Sequence, residues 1–554
     1  MNDTIFVTDI KWERIFLHLT LEANVSRPIK EFRLRSGRRK IITPPVDAAK
    51  AGENTYELTV NMAAANGREF LENGNWNVVA YREGDSIDMT DGIICSASYD
   101  LAYRIADFTR LFRYGTGLYM YTVAFAYAVR DDDPGNFYFM MRSHFVQEND
   151  DWKKRRFLKE DKNAGGRYSW TIRRRFNIHL MKAYYAIVTK LLPKSGDHIL
   201  MMTETKGFLW GNLKYIDQRI RERHLDEQFK LSYNYRVQVG GRSSILSWFR
   251  LIHKIARQDY IFVDDYVPIF GWLKLDPRTK LIQVWHAGEG FKSVGYSRFG
   301  KIGSPYPINN CHKKYDYVVT GSQRLINTYE EVFGLDKSAF LPLGMARLDG
   351  YLDPDVIEKT RAEFYEKYPQ LEGRKLILFA PTFRGRGQKF AYYDYDQLDL
   401  SQIYDFCGDE YVWMFKMHPF ITESPEIPKE YRDRIIDLSS WQNINDLYYV
   451  TDLLITDYSS NFYEYALLRR PALFFTYDRV QYELMRGVHK PVKETAPGKV
   501  CDTFEELMTA LRSGDFEQEK MQVFAEENFG DYDGHAADRI IDTILLDKTD
   551  IDIE

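Results

Sequence analysis

Residues 452–478 read DLLITDYSSNFYEYALLRRPALFFTYD. A short apolar run, Leu453 to Ile455, ends in Thr456-Asp457-Tyr458-Ser459-Ser460. A helical segment follows, and then a second apolar run from Ala472 to Phe475. Short apolar runs that do not alternate suit strands buried on both faces of a parallel sheet. The segment between them reads as the crossover helix that parallel strands require. This strand–helix–strand unit sets the fold class as α/β, with an open, doubly wound sheet.

The pattern extends on both sides. KLILFAPTF (375–383), YVWMFKMHP (411–419) and RIIDLS (434–439) join the same series. An earlier series comprises HILMMTET (198–205), YRVQVGG (235–241), DYIFVDD (259–265), KLIQVWHAG (280–288) and YDYVVTGS (315–322). Two series imply two Rossmann-like units, 196–355 and 356–545, with a boundary near 345–370. Residues 1–145 differ. IFVTDIKWERIFLHLTLE and YELTVNMAA alternate roughly at period two, and GNWNVVAY, GIICSASY and LYMYTVAFAYAV are further strand candidates. Gly37, Pro44-Pro45, Asn73-Gly74 and Asp133-Pro134-Gly135 give turn signals, so this part reads as a β-rich, sandwich-like module. An acidic tail, 546–554, closes the chain.

Between these parts, 146–195 is basic. From Asp151 to Lys194 there are 13 Lys and Arg against 3 Asp and Glu, a local +10 in a chain whose net charge is −5. KKRRFLKEDKNAGGRY (153–168) reads as a basic loop. The following helix has apolar Ile172, Phe176, Leu180, Ala183, Ile187 and Leu191 at helical spacing, with Arg173, Arg174, Arg175 and Lys182 among them. A basic amphipathic helix lies well on anionic lipid; a linker helix packed on the next unit is the other reading. The longest apolar stretch, Gly117 to Val129, is too short to span a bilayer and suits a buried strand. No secretory signal opens the chain, and Cys95, Cys311, Cys407 and Cys501 lack the spacing of a zinc site or a disulfide framework. A cytoplasmic protein with peripheral membrane contact is expected. Aromatics make up 15% of the chain, which suits large cores.

In open α/β sheets, ligands bind outside the carboxyl ends of the strands. His286 and Lys292, in HAGEGFK, follow one such strand. A histidine there can accept a hydroxyl proton, and Lys292 can neutralise phosphate oxygen. Thr382 and Arg384 follow LILF beside glycines, where a guanidinium matches phosphate geometry. Lys416 and His418 lie two apart beyond VWMF, a spacing that would turn both to one diphosphate on an extended strand. Asp457, Ser459 and Ser460 follow DLLIT, and there Asp and Ser are expected to cap the next helix, whose free N–H groups attract an anion. For each, a cap or a loop salt bridge is the bland alternative. Asp-x-Asp triplets at Asp353, Asp394 and Asp531, and the Asp131–Asp133 run, do not directly follow the strands of the two series. No metal site is expected, and the cations can take the place of a metal at a leaving group.

As a set, these segments resemble the CDP-glycerol glycerophosphotransferase family, the teichoic-acid primases and polymerases. The matching stretches are VWHAGEGFKSVGYSRFGK, YDYVVTGSQ, PLGMARLDGYL, LFAPTFRG, FKMHP and LITDYSSNFYEYALLRRPALFFTYD, in order over about 260–485. The IKWERIFL opening is similar to the β-rich module of the ribitol-phosphate polymerase-like branch. The resemblance implies a GT-B-like pair of domains, with acceptor on the first α/β unit and CDP-glycerol or CDP-ribitol on the second. It implies His286 as general base, and His418 as the group that contacts the diphosphate and stabilises departing CMP. Thr382, Arg384, Lys416, Ser459 and Ser460 would line the phosphate and cytidine site, with Asp457 orienting that loop. Arg347 and Asp349 match a Gly-x-Pro-Arg-x-Asp element in which this chain has Ala346 instead of Pro. HAGEGFK departs from the His-Gly-Thr form of glycerol-phosphate polymerases and is closer to an HAxGAFK form, with Glu289 unusual. The implied partners are a lipid-linked polyol-phosphate acceptor and an anionic membrane face, with no nucleic acid and no cofactor. Homo-oligomerisation, primase against polymerase action, and glycerol against ribitol stay open. A nucleotide-sugar glycosyltransferase on the same fold and a non-catalytic membrane scaffold are the competing readings.

Overall fold

The computed structural model describes residues 3–114, 119–147, 171–204, 206–235, 244–288, 291–298, 305, 310–385 and 388–548; for 119, 145–147, 171–175 and 486 it describes the backbone alone. The basic loop 153–168, Glu289, most of YRVQVGG and the end of the acidic tail lie outside the described residues.

The N-terminal module is a mixed sheet of 12 strands joined in one hydrogen-bonded network. Strand Phe16–Asn24 shows why the alternation works: Leu17, Leu19, Leu21 and Ala23 all face one core. That core is shared by Trp76, Tyr114 and Tyr121. All its strands thus belong to a single connected sheet. The turn expected at Asp133-Pro134-Gly135 is displaced: Asp131 and Asp132 turn, and Asp133–Gln147 is already strand. The first hairpin turns at Arg14-Ile15, with Arg14 in the left-handed region (φ 55°).

Two six-stranded parallel sheets follow. The first runs Lys230–Tyr235, His198–Thr203, Tyr260–Val263, Lys280–Gln283, Tyr317–Val319, Phe340–Leu341 in spatial order. The second runs Ile435–Asp437, Tyr411–Phe415, Lys375–Phe379, Leu453–Thr456, Ala472–Phe475, Lys499–Cys501. Strand residues such as Leu376 to Phe379 and Val412 to Phe415 are buried on both faces, and each side chain so buried contributes about 1.5–3 kcal/mol. In the second sheet the strand order reverses between Lys375–Phe379 and Leu453–Thr456. In open α/β sheets ligands bind at such a switch point.

Several helices cover the first sheet. Thr171–Leu191 packs on helix Ile245–Ala256 and buries Met181, Tyr185 and Val188 in the same core, and the Tyr185 hydroxyl accepts from Asp276 N at 2.9 Å. The apolar stripe read from the sequence lies elsewhere on this helix: Phe176, Leu180, Ile187 and Leu191 are exposed. Helix Ala536–Ile544, expected with the second unit, instead packs on the first sheet through Ala537, Ile540 and Ile541. Asp349 caps it, accepting from Ala536 N at 2.9 Å and Ala537 N at 2.7 Å. Asp353, the first residue of an Asp-x-Asp triplet, caps helix Pro354–Lys367. No helix among the described residues is long and apolar enough to cross a membrane.

Candidate active site

At the switch point of the second sheet, Asp457 organises the loops. Its carboxylate is buried and accepts from Thr382 N (2.8 Å), Ser459 N (3.2 Å) and Arg384 Nη1 (2.7 Å). It therefore ties the end of strand Lys375–Phe379 to the end of Leu453–Thr456. It does not cap the next helix, which is short: Phe462–Tyr465 continues as a 3-10 turn, Ala466–Leu468, and its N-cap Asn461 makes no side-chain cap bond. Asn461 instead donates to Ala380 O at 2.9 Å and accepts from Thr456 Oγ1 at 2.9 Å.

Arg384 stands beside this carboxylate and is buried. Its Nε and Nη2 reach Asp478 at 2.7 and 3.0 Å, and its Nη1 also reaches Thr382 O at 3.0 Å. The rings of Tyr393, Tyr458, Tyr477 and Tyr482 surround it within 5.1 to 5.5 Å. Burial works against its charge, but Asp457, Tyr477 and Asp478 outweigh that and raise its pKa above the usual arginine value. The fork that matches phosphate so well is thus engaged by two internal carboxylates. Arg384 is a rivet of the loops in this conformation, not a bidentate phosphate ligand.

Lys292 and His418 lie beside this scaffold. Lys292 Nζ donates to Thr382 Oγ1 at 2.8 Å, across the two α/β units. The His418 ring lies 4.8 Å from that of Phe383, and its Nδ1 accepts from Phe420 N at 3.1 Å. The neutral ring therefore carries its proton on Nε2, a hydrogen-bond donor. Burial, with Lys292 and Lys416 nearby, pushes the His418 pKa down to about 4. Lys416 is buried, its pKa lowered by that burial, and it donates to Ser439 O at 3.1 Å. The strand has ended at Phe415, so the period-two argument for Lys416 and His418 no longer governs; Lys416 nevertheless stays close enough to His418 to help lower its pKa.

On the first sheet, His286 is held by backbone. Its Nδ1 lies 2.8 Å from Asp264 O, an acceptor only, so Nδ1 carries a proton, and in the neutral tautomer the lone pair is on Nε2. The preceding residue, Trp285, has φ 48°, a strained geometry for a large side chain. Three contacts maintain it. Asn212 Nδ2 donates to Val284 O (2.8 Å) and Trp285 O (3.0 Å), and Trp285 N donates to Gln283 Oε1 (2.8 Å). The Trp285 and His286 rings lie 4.4 Å apart. Beside His286, burial pushes the Asp264 carboxyl up to about 6, against the opposing pull of Thr203 and His286.

The loop after His286 joins the two sheets. A Cβ on Gly288 would lie 2.1 Å from the Tyr463 ring, so glycine permits this close approach. Phe291 packs on Phe462 and Phe474 with centroids 5.0 and 5.8 Å away. Lys292 then reaches Thr382. The structure thus brings Lys292, Thr382, Arg384, Lys416, His418, Asp457 and Ser459 into one neighbourhood, and one loop connects His286 to it. Arg347 is placed otherwise: its guanidinium pairs with Glu464 across the units, and its N–H donates to Asn212 Oδ1 at 3.0 Å. A cavity of about 740 Å³ adjoins the last strands of the first sheet, lined by Gly321, Gly344, Asp349 and Arg539, and none of the residues read as catalytic lines it. Asp264 and Asp478 escaped the sequence reading. Both follow strands already recognised, DYIFV and ALFF, so the strand-end rule would have found them. Lys182 is exposed on its helix. The side chains of Arg173, Arg174 and Arg175 lie outside the described residues.

Histidines and a lysine gathered at the carboxyl ends of two parallel sheets are the equipment of an α/β transferase that handles phosphate. Residues 184–546 match the model of the CDP-glycerol:poly(glycerophosphate) glycerophosphotransferase family, and the chain belongs to that family. It is similar to the teichoic acid ribitol-phosphate polymerase TarK of Staphylococcus aureus, 35% identical over 363 residues, covering 65% of this chain and 71% of that one. It is 34% identical over 373 residues to the teichoic acid poly(ribitol-phosphate) polymerase of Bacillus spizizenii, covering 67% of this chain and 60% of that one. The teichoic acid glycerol-phosphate primase of the same organism is 32% identical over 282 residues, covering 50% and 72%. Among solved structures, the wall teichoic acid polymerase TagF superposes with a TM-score of 0.51 at 21% identity, over 69% of this chain and 97% of that one.

Proposed function

We propose that this protein transfers a polyol phosphate from a CDP-polyol to the terminal hydroxyl of a polyol-phosphate polymer carried on a lipid, releasing CMP. The two parallel sheets act as a GT-B-like pair, with acceptor on the unit of the first sheet and CDP-polyol on the unit of the second. The acceptor hydroxyl oxygen attacks the β-phosphorus, its proton passes to His286 Nε2, and the bond to the CMP oxygen breaks with its electron pair going to CMP. His418, through Nε2–H, and Lys292 meet the charge that develops on the leaving phosphate. Thr382, Ser459 and Ser460 shape the donor pocket; Arg384, Asp457 and Lys416 hold it in place. The chain's own hydrogen-bond donors fill the role that a metal has in other nucleotide transferases.

The observation that carries this reading is the pair of opposed histidine tautomers, a proton acceptor on one sheet and a proton donor on the other. CDP-ribitol is the proposed donor, because the relatives named for ribitol-phosphate polymers share more of this sequence than those named for glycerol phosphate. We place the enzyme at the inner membrane face, with the exposed apolar and basic face of helix Thr171–Leu191 against anionic lipid. The test is incubation with CDP-ribitol and with CDP-glycerol separately on a lipid-linked acceptor analogue, followed by CMP assay and mass analysis. Ribitol-phosphate extension is expected; extension by glycerol phosphate alone would reassign the donor, and no CMP from either would refute the reading.

A further inference from the structure

We propose that the β-rich N-terminal module positions Lys292 at the donor phosphate site, through Arg14 at the tip of the module's first hairpin. The family match begins at residue 184, so it gives this module no part in the reaction. The inference rests on reading Lys292 and Thr382 as part of that site.

The hairpin joins strands Thr4–Glu13 and Phe16–Asn24 by a two-residue turn. Ile15 is fully buried, which anchors the turn. Arg14 holds φ 55°, as the first position of a tight two-residue hairpin turn requires. Its side-chain contacts lie outside the module. Arg14 Nε reaches both Glu331 oxygens, at 2.7 and 3.0 Å, and Nη2 donates to Ser297 O at 2.9 Å. Nη1 approaches Val488 O at 3.5 Å. Glu331 belongs to helix Leu325–Phe333 of the first α/β unit, and its side chain is 1% exposed. Its other neighbour is His489 Nδ1, 3.1 Å from Oε2.

Val488 and His489 form the far side of a short ladder with the Lys292 segment. Lys292 and Val488 make an isolated antiparallel bridge. His489 N donates to Phe291 O at 2.6 Å, and Ser293 N donates to Gly487 O at 3.0 Å. Lys292 leaves this ladder with its ammonium on Thr382 Oγ1. Three parts of the molecule thus meet around one carboxylate, and the lysine at the phosphate site hangs from the ladder beside it. The geometry makes Arg14 a positioning residue: it touches no reacting atom, but it fixes the strip of backbone from which Lys292 extends. Small displacements of such a group carry large penalties in reaction geometry.

The variant is Arg14→Ala, assayed for CDP-polyol turnover with full-length protein. Its donor KM should rise roughly tenfold or more, with a smaller change in kcat, because Lys292 loses orientation while His286 and His418 stay in place. Amide exchange in 291–293 and 487–489 should accelerate. Arg14→Lys keeps a charge against Glu331 but loses the fork to Ser297 and Val488, so its KM should fall between the two. Arg68→Ala is the control. Arg68 also docks the module on the first α/β unit, donating to Tyr315 O at 2.6 Å, but it has no link to the Lys292 ladder. It should leave donor KM and ladder exchange at wild-type values. A wild-type KM in Arg14→Ala, or an equal KM rise in Arg68→Ala, would overturn the proposal. Failure of the unmodified protein to release CMP would instead refute the donor-site reading, and unchanged ladder exchange in Arg14→Ala would then count separately against the strut.

Discussion

The loop around His286 and the loops around His418 sit at equivalent ends of their sheets, yet they are built in different ways. His286 is oriented by main-chain carbonyls and a strained Trp285 that Asn212 and Gln283 hold in place. The second site is a dense set of charges in which Arg384, Asp457 and Asp478 are paired with one another. One side anchors an imidazole to the main chain; the other fixes a scaffold of charge beside His418 and Lys292. The proposed reaction, which takes a proton from one substrate and stabilises negative charge on another, would use this division. Burial raises pKa values of acids and lowers those of bases, so placing base and phosphate site on separate sheets lets each be tuned alone.

The sharpest way to break the comparison is to substitute both histidines identically. Glutamine cannot accept a proton at neutral pH but can donate N–H. His286→Gln should therefore lose turnover by roughly 10²–10⁴-fold with donor KM little changed. His418→Gln should retain part of its function, whereas His418→Ala should lose about 10²-fold or more. Equal losses for the two glutamine variants would show that the tautomers do not divide the labour. The same pair separates in acid. The His418 pKa lies at about 4, below the ordinary 6.5. Between those values the unfolded chain binds a proton that the folded site refuses, so stability falls as pH drops from about 6.5 to 4. Denaturation of wild type and His418→Gln across that range should show a shallower acid slope in the variant.

Arg384 sharpens the scaffold half of the comparison. Arg384→Met leaves Asp457 and Asp478 without their cation, and Asp457 is fully buried. A broken buried pair of this kind costs about 3–5 kcal/mol, read by urea unfolding. If Arg384 were chiefly a substrate ligand, the variant would keep its stability and lose only donor affinity. Lys292→Met should show that second pattern, since Lys292 is only half-buried and its ammonium reaches Thr382 at the mouth of the donor loops.

The parallel strands of both sheets were legible because strands buried on two faces leave unbroken apolar runs, as in LILF and VWMF. The strand-end rule led to His286, Thr382, His418 and Asp457 for the same reason. What each polar group bonds was not legible. A guanidinium beside glycines suits a phosphate or a carboxylate equally well, and the partner that engages Arg384, Asp478, lies 94 positions further along the chain. Asp349 reads as part of a motif but caps a helix 187 positions away. The helix Thr171–Leu191 shows a different limit. It carries apolar residues on more than one side, and spacing alone cannot tell which side meets protein. The core takes Met181, Tyr185 and Val188, and leaves Phe176, Leu180, Ile187 and Leu191 outward.

That outward face gives the smallest expected effect and a test confined to the acceptor half. The helix packs on the unit of the first sheet, so any lipid contact it makes should serve the acceptor and leave the donor loops untouched. Each of Arg173→Gln, Arg174→Gln, Arg175→Gln and Lys182→Gln should weaken binding to anionic vesicles by about 1 kcal/mol, roughly fivefold, and less so at high salt. Phe176→Ser should weaken it in a salt-independent way, since its contribution is apolar area. With a short soluble acceptor, all five variants should release CMP at the wild-type rate; with a lipid-linked acceptor in vesicles, they should slow. Unchanged vesicle binding would assign the exposed stripe to something other than lipid. A slowed reaction with the soluble acceptor would mean that the helix also supports the catalytic unit it packs against. The contacts from Met181, Tyr185 and Val188 argue against that second outcome for Phe176→Ser and Lys182→Gln, whose side chains point away from the face that those residues bury.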